Sequence, residues 1–335
     1  MLTERRSGLL NLIVEDYVES AVPVGSQYIV RRHRVPFSSA TIRNEMARLE
    51  EEGYINQPHT SAGRVPSDKG YRYYVESLMS EEQLGRDERE TIRHQFHQAE
   101  HDLEQWFQLA AAVLAQQLRN FAVVTAPRSR ETRLKHVQLV SLQEWSALLV
   151  VVLQEARLRQ QVIGLREPMD QNQLTVAANR LNDHYGGLEA TDIRSRPQPS
   201  SEFEEQIVEA VVELMDQESL ALGEVFRDGV REVLSQPEFA KSERMLDLVD
   251  ALEQRTLVSA MPIRQLDDDA ISVVIGSENA LQSMRDCSIV LARYGNESGP
   301  SGVVAVLGPT RMRYSRTIPT VRYLAALLGE LITQI

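Results

Sequence analysis

The side chains best suited to recognition chemistry lie in the run SSATIRNEMARLEEEGYI, residues 38–55. Ile42, Met46 and Leu49 recur at i, i+4 and i+7, which places them on one face of a helix. At about 100° per residue, Asn44 falls almost opposite that stripe. Ala40 and Ala47 flank it, and Arg43 and Arg48 stand on its shoulders. An amide suits bidentate pairing with adenine, a guanidinium suits guanine, and small or methyl-bearing residues such as Ala40 and Thr41 suit the thymine methyl. An ordinary amphipathic surface helix has the same period, so the flanking residues must decide.

The elements that would position this row are legible around it. Residues 9–18 carry a wide apolar helical face, closed by Pro23 and Gly25. Ser26–Arg32 is long enough for a short second helix. Pro36 disfavours helical backbone at Val35, and Ser38 can cap the next helix. Helix, turn and capped helix is the helix-turn-helix pattern, whose second helix enters the major groove. After Gly53, residues 54–57 alternate like a short strand. The polar loop HTSAGRVP (59–66) then has the composition of a wing. Thr60, Ser61, Arg64 and the amides near Gly63 suit phosphate contacts, which set register rather than read sequence. Ser67 caps a last helix, 68–79, holding Lys69, Tyr71, Arg72, Tyr73 and Tyr74; core packing is expected for at least one of the tyrosines.

Charge agrees with a DNA-binding end. Residues 22–75 hold eight basic and five acidic residues, whereas 81–335 hold 26 basic and 38 acidic, and the whole chain is −12. An acidic body repels DNA and leaves affinity to the basic end. The 33 arginines and three lysines are read as genomic bias or a hot habitat.

Other candidate chemistry is weaker. His94, His97 and His101 share a helix face but lack a cysteine or carboxylate in metal-binding spacing, so a solvated face is expected and no metal. Asp267–Asp269 reads as a turn before a strand, and the glycine-rich 295–302 as a loop matching no phosphate-cradling fingerprint. No catalytic constellation stands out, and neither an enzyme nor a cofactor is expected. Cys287 is the only cysteine, which excludes an intrachain disulfide and fits a reducing compartment. No signal peptide and no apolar run of about 20 residues is seen, so a cytoplasmic protein without a membrane span is expected.

At 335 residues two or three domains are expected. Residues 81–122 read as one long helical stretch ended by Pro127. Strands are expected at 135–142, 147–154 and 157–165, helices at 172–185 and 202–222, and a further helix at 245–252. Strands recur at 270–276, 288–294 and 302–307 before a closing helix, 316–335. Two groups of strands around a helical block suggest one α+β sheet domain carrying an insertion near 166–222.

The stretches 38–55 and 59–75 (HTSAGRVPSDKGYRYYV) resemble the HrcA family of bacterial heat-inducible transcription repressors. LSQPEF (234–239) and GPTRMRYS (308–315) resemble its shorter mid-chain and C-terminal signatures. The resemblance implies a multidomain α+β protein: a winged helix-turn-helix at 1–80, a helical linker at 81–104, a GAF-like mixed α/β body at 105–165 and 223–335, and an inserted dimerising domain at 166–222. It implies a homodimer binding CIRCE, an inverted-repeat DNA operator, upstream of chaperone operons, with the GroEL chaperonin maintaining the active form. Carried onto this chain, Ser39, Ala40, Thr41, Arg43 and Asn44 are the expected base contacts. Ser26, Gln27, Arg48, His59, Thr60, Ser61, Arg64, Lys69 and Arg72 are the expected backbone contacts. The alternative is a winged-helix regulator whose GAF-like body senses a small molecule; fold alone does not choose between them.

Overall fold

The computed structural model describes residues 2–59, 62–99, 102–129, 132–154, 157–197, 199, 201–220, 223–239, 249, 261, 270–295 and 299–333. The chain divides into two compact units, one formed by 1–127, 224–295 and 302–335, the other by 128–223 and 296–301.

The N-terminal helices start and stop for local reasons. Thr3 caps α1 (Glu4–Ser20), and Ala21 ends it in the left-handed conformation. α2 (Ser26–His33) ends the same way at Arg34, φ 49°. Ser38 caps α3 (Ser39–Glu51), its hydroxyl accepting the Thr41 amide at 3.1 Å. Gly53, φ 77°, turns the chain out of α3. β1 (Ile55–Asn56) then pairs antiparallel with β2 (Val65–Pro66). Ser67 caps α4 (Asp68–Tyr73), which runs on through a π-type turn, Tyr74–Leu78. Leu9, Leu10, Ile13, Val14, Ile29, Ile42, Met46, Leu49 and Ile55 are buried in one cluster. Burying each such side chain contributes about 1.5–3 kcal/mol.

The helical stretch expected over 81–122, a linker helix running into a body helix, is two separate helices. α5 (Arg86–Gln98) and α6 (Leu103–Leu118) are separate because Asp102 caps the second, its carboxylate accepting the Glu104 amide at 3.0 Å. Arg119, φ 53°, then stops α6, and the apolar residues that follow form a fully buried strand, β3 (Phe121–Thr125).

The second unit begins with β4 (Arg128–Ser129), which pairs with residues 300–301. β5 (Leu134–Gln143), β6 (Ser146–Leu153) and β7 (Leu158–Gly164) form their own antiparallel sheet in that order. This corrects the expectation that they share a sheet with the strands after 270; the compact unit they belong to begins at 128. The reason is connectivity: tight links fold each strand back onto the one before it. Leu134, Val137, Leu139, Leu149, Val151 and Ile163 line the buried face under α7 (Gln171–Tyr185), α8 (Ala190–Ser195) and α9 (Glu202–Leu220). The outer edge of β5 is closed by side-chain amides. Asn182 accepts from the Val137 amide (2.7 Å) and donates to its carbonyl (2.8 Å), while Gln171 does the same for Ser141 N–H and Leu139 O.

Back in the first unit come β8 (Val225–Asp228), α10 (Val230–Leu234), β9 (Ile271–Ile275), β10 (Cys287–Gly295), β11 (Pro300–Pro309) and α11 (Tyr314–Thr333). Its antiparallel sheet has the order β8-β3-β11-β10-β9. α6 packs on β3 and β8, and α11 packs on β10 and α6. Pro319 lies inside α11 and lacks the N–H that would bond to Ser315 O; the Glu82 amide fills the vacancy at 2.8 Å. The expected helix at 245–252 (residue 249 excepted) and Asp267–Asp269 lie outside the described residues. No helix among the described residues is long and apolar enough to cross a membrane.

Candidate nucleic-acid interface

The apolar stripe of α3 is buried as its period requires: Ile42, Met46 and Leu49 are each at most 3% exposed. Ala40, Arg43, Asn44, Ala47 and Arg48 are all exposed, and Ser39 and Thr41 are half-buried at the N-terminal turn. Thr41 shares its hydroxyl with Ser38 at 2.9 Å. Among the described residues, the side chains of Arg43, Asn44 and Arg48 make no hydrogen bond or ion pair, so their donors remain available to a ligand.

The acids near this row are treated differently. Glu45 lies 3.5 Å from Arg5 and 3.6 Å from Arg6, Glu52 pairs with Arg6, and Glu50 pairs with Arg64 at 2.8 Å. Intramolecular pairing thus neutralises most of the negative charge of α3 while its outward guanidiniums stay uncommitted. Two further exposed cations, Arg31 and Arg34, precede α3 and also lack an intramolecular partner among the described residues. The sequence reading did not select them, although the run RRHR (31–34) was the available signal. The neighbouring Arg32 and His33 instead hold the buried carboxylate of Asp16, at 3.1 and 2.8 Å, and so join α2 to α1.

The expected backbone contacts divide into groups. Gln27 and His59 are exposed, and His59 O accepts the Ala62 amide at 2.8 Å to close a turn. Thr60 and Ser61 lie outside the described residues. Ser26 is buried. Arg64 exchanges two 2.8 Å backbone hydrogen bonds with Val24, which ties the base of the loop to the turn between α1 and α2. Only glycine fits at position 63, because a Cβ there would overlap the backbone of Pro23 and Val24.

Lys69 and Arg72 are engaged inside the molecule. Lys69 donates to Glu52 O at 2.8 Å and sits 4.4 Å from the centre of the Tyr54 ring. Arg72 donates from Nη2 to Val273 O at 2.7 Å and from Nε to Glu278 at 3.0 Å. Burial works against its charge, but the Glu278 carboxylate outweighs this and the guanidinium pKa is raised. Its side chain is directed at the sheet rather than outward, which departs from the expected phosphate contact. Of the three tyrosines, Tyr71 and Tyr74 are buried and Tyr73 is half-buried. Burial raises the Tyr71 hydroxyl well above its ordinary range and pushes that of Tyr74 up to about 12.

Of the histidine row, His94 and His97 are exposed, and His101 lies outside the described residues. Among the described residues no group of three His, Cys, Asp or Glu side chains gathers as ligands. Cys287 is buried, its thiol pushed up to about 12 by desolvation and then by Asp286.

Residues 104–318 match the family described as HrcA protein C terminal domain. The chain is 40% identical over 343 residues to the Heat-inducible transcription repressor HrcA of Roseiflexus castenholzii, covering 100% of this chain and 95% of that protein. It is 41% identical over 356 residues to the repressor of the same name from Chloroflexus aurantiacus, again covering 100% and 95%. Among solved structures it is similar to one described as "Crystal structure of a hypothetical protein at 2.2 A resolution", with a TM-score of 0.59, 23% identity and 99% and 98% of the two chains covered. That likeness extends the shared fold over nearly the whole chain.

Proposed function

The chain belongs to the HrcA family of heat-inducible transcription repressors, and from that premise we propose that it represses heat-shock genes by reading DNA through the outward face of α3. One observation carries this reading: Arg43, Asn44 and Arg48 are exposed and unpartnered opposite a fully buried stripe, while the acids beside them are paired off. The proposed N-terminal domain is a winged helix, with α3 in the major groove and the 57–64 loop against the backbone. Ser39, Ala40, Thr41, Arg43 and Asn44 are the proposed base contacts. Gln27, Arg48, His59 and, after release from Glu50, Arg64 are the proposed phosphate contacts. The sheet of the first unit is the proposed GAF-like body.

The proposed target is the CIRCE inverted repeat upstream of chaperone operons, bound by a homodimer in the cytoplasm, with a GroEL-type chaperonin maintaining the active form. A two-fold dimer reads two half-sites a helical turn or a multiple of it apart, about 34–36 Å per turn. Footprinting the purified full-length protein on the host's chaperone promoters, with and without chaperonin, tests the reading. Protection of a two-fold symmetric site is expected from the wild type, and from Asn44→Ala only at higher protein concentration. Equal protection by both proteins would remove α3 from the interface.

A further inference from the structure

We propose that Asp68 and Arg72, one helical turn apart on α4, are positioning residues: they clamp the N-terminal domain to residues 273–278 of the sheet domain and so set the angle at which α3 is offered to DNA. The consequence for DNA rests on the reading above; the clamp itself does not.

The 273–278 segment is shaped to receive them. Asp68 accepts the Ser277 amide at 2.8 Å. Gly276 has φ +52°, and a Cβ there would overlap the Asp68 carboxylate, so glycine serves both the turn and the close approach. Arg72 grips the same segment through Val273 O and both oxygens of Glu278. Glu278 is held ready by the Ile275 amide at 2.8 Å. Between the two, Tyr71 is buried with its ring centre 5.9 Å from that of Tyr314, whose hydroxyl is fixed by Ser288 and Thr310 O, each at 2.7 Å.

The opposite side of α4 and its cap hold the end of the reading helix. Lys69 donates to Glu52 O and Ser67 donates to Gly53 O, at 2.8 and 2.6 Å. Gly70 lies so close to Tyr54 O that no other residue fits. α4 therefore connects the C-terminal end of α3 to the sheet domain through side chains on both sides. The two shorter sequence signatures supply a second anchor: Arg311 donates to Val18 O (3.2 Å) and Gln236 (2.8 Å) and pairs with Glu238. Partly exposed ion pairs are individually weak, so such a clamp is releasable without unfolding. An inverted repeat rewards heads held at one spacing, because orientation fixed beforehand is not lost on binding.

The test uses the full-length protein and its Glu278→Gln, Gly276→Ala and Arg72→Gln variants. Spin labels at Val22→Cys and Ser283→Cys, both exposed positions, report the distance between the two domains without DNA. A single narrow distribution is expected in the parent and a broadened one in each variant; unchanged widths would overturn the clamp. The same proteins are titrated with inverted-repeat duplexes of native and lengthened spacer. Each variant is expected to lose about tenfold in affinity for the native spacer, to discriminate less between spacers, and to keep the salt slope. If Arg72→Gln alone lowers the slope by about one while Glu278→Gln binds like the parent, Arg72 is a phosphate contact and the proposal fails. If the parent binds no inverted repeat, the DNA reading fails, and the label distances still decide the clamp.

Discussion

Asn44 and Arg43, like Arg48, have nothing to lose inside the molecule, which fits groups that make their bonds with a ligand such as a base edge. Truncating either to alanine is expected to cost about 1–3 kcal/mol of operator affinity and to relax preference at one base pair, measured by titration against single-substituted duplexes. Arg64 is different because Glu50 already holds it at 2.8 Å. Reaching a phosphate requires breaking that pair, and the carboxylate left behind repels DNA. Glu50→Gln is therefore expected to strengthen binding to all duplexes alike, by up to about fivefold given the modest worth of such pairs. A weaker or sequence-selective effect in the same titration would separate Arg64 from the backbone contacts. At Cys287, burial and Asp286 hold the thiol protonated, with a pKa of about 12. Because the folded pKa is raised, thiolate formation favours the unfolded chain as pH rises above the ordinary thiol range. Ellman's reagent at pH 8.5 is expected to label the protein only on unfolding.

At the scale of elements, α3 was legible because its evidence is local. One period of 3.6 placed Ile42, Met46 and Leu49 inside and Asn44 outside, and one serine capped the start. The same locality explains what was missed. β3 follows the apolar α6 after only two residues, and an apolar run has no period that separates buried helix from buried strand. β5, β6 and β7 were recognised as strands, but the sheet a strand joins depends on its partners rather than on its own composition. Arg72 was an expected DNA contact through the family resemblance alone, and its partner Glu278 lies 206 positions away, beyond any local pattern. Gly63 shows the same limit: its need for glycine comes from the approach of Pro23 and Val24, from the other side of α3 in the chain. Gly63→Ala is expected to separate the loop base from the α1–α2 turn and break the paired Val24–Arg64 bonds, a loss of about 1–3 kcal/mol by thermal unfolding. DNA affinity is expected to fall for all sequences together, since α3 itself is untouched. An unchanged melting temperature would show that the tether is not what holds the loop.

At the scale of the whole molecule, reading the proposed inverted repeat requires two copies, and the open sheet face of the second unit is the surface on which self-association is expected. Its sheet is sealed on one face by α7, α8 and α9, and the β5 edge is closed by Asn182 and Gln171. The opposite face has no such cover among the described residues. Strand pairing places Val140, Leu148, Val150, Val152, Leu158 and Val162 on it, beside the polar His136, Gln138 and Gln160, and Leu142 lies at the adjoining β5 irregularity; Leu142 is 50% exposed, Leu158 54% and Val162 62%. Trp145, 56% exposed, adds an aromatic ring at the β5–β6 turn. Exposed, largely apolar patches are where interfaces are expected, and a stable interface buries about 800 Å² per partner. A second copy presenting the same face satisfies two-fold symmetry. Leu158→Glu with Val162→Glu puts two charges on the open face and none in the core, so the chain is expected to stay folded. Sedimentation is expected to show the parent as a dimer and the double variant as a monomer. The monomer is expected to keep weak half-site binding through α3 and to lose the gain from the second half-site. Its net charge of −12 per chain gives it little non-specific affinity to hide that loss. A double variant that still sediments as a dimer would place self-association elsewhere in the chain, and one that lost half-site binding too would show that α3 depends on this face for more than symmetry.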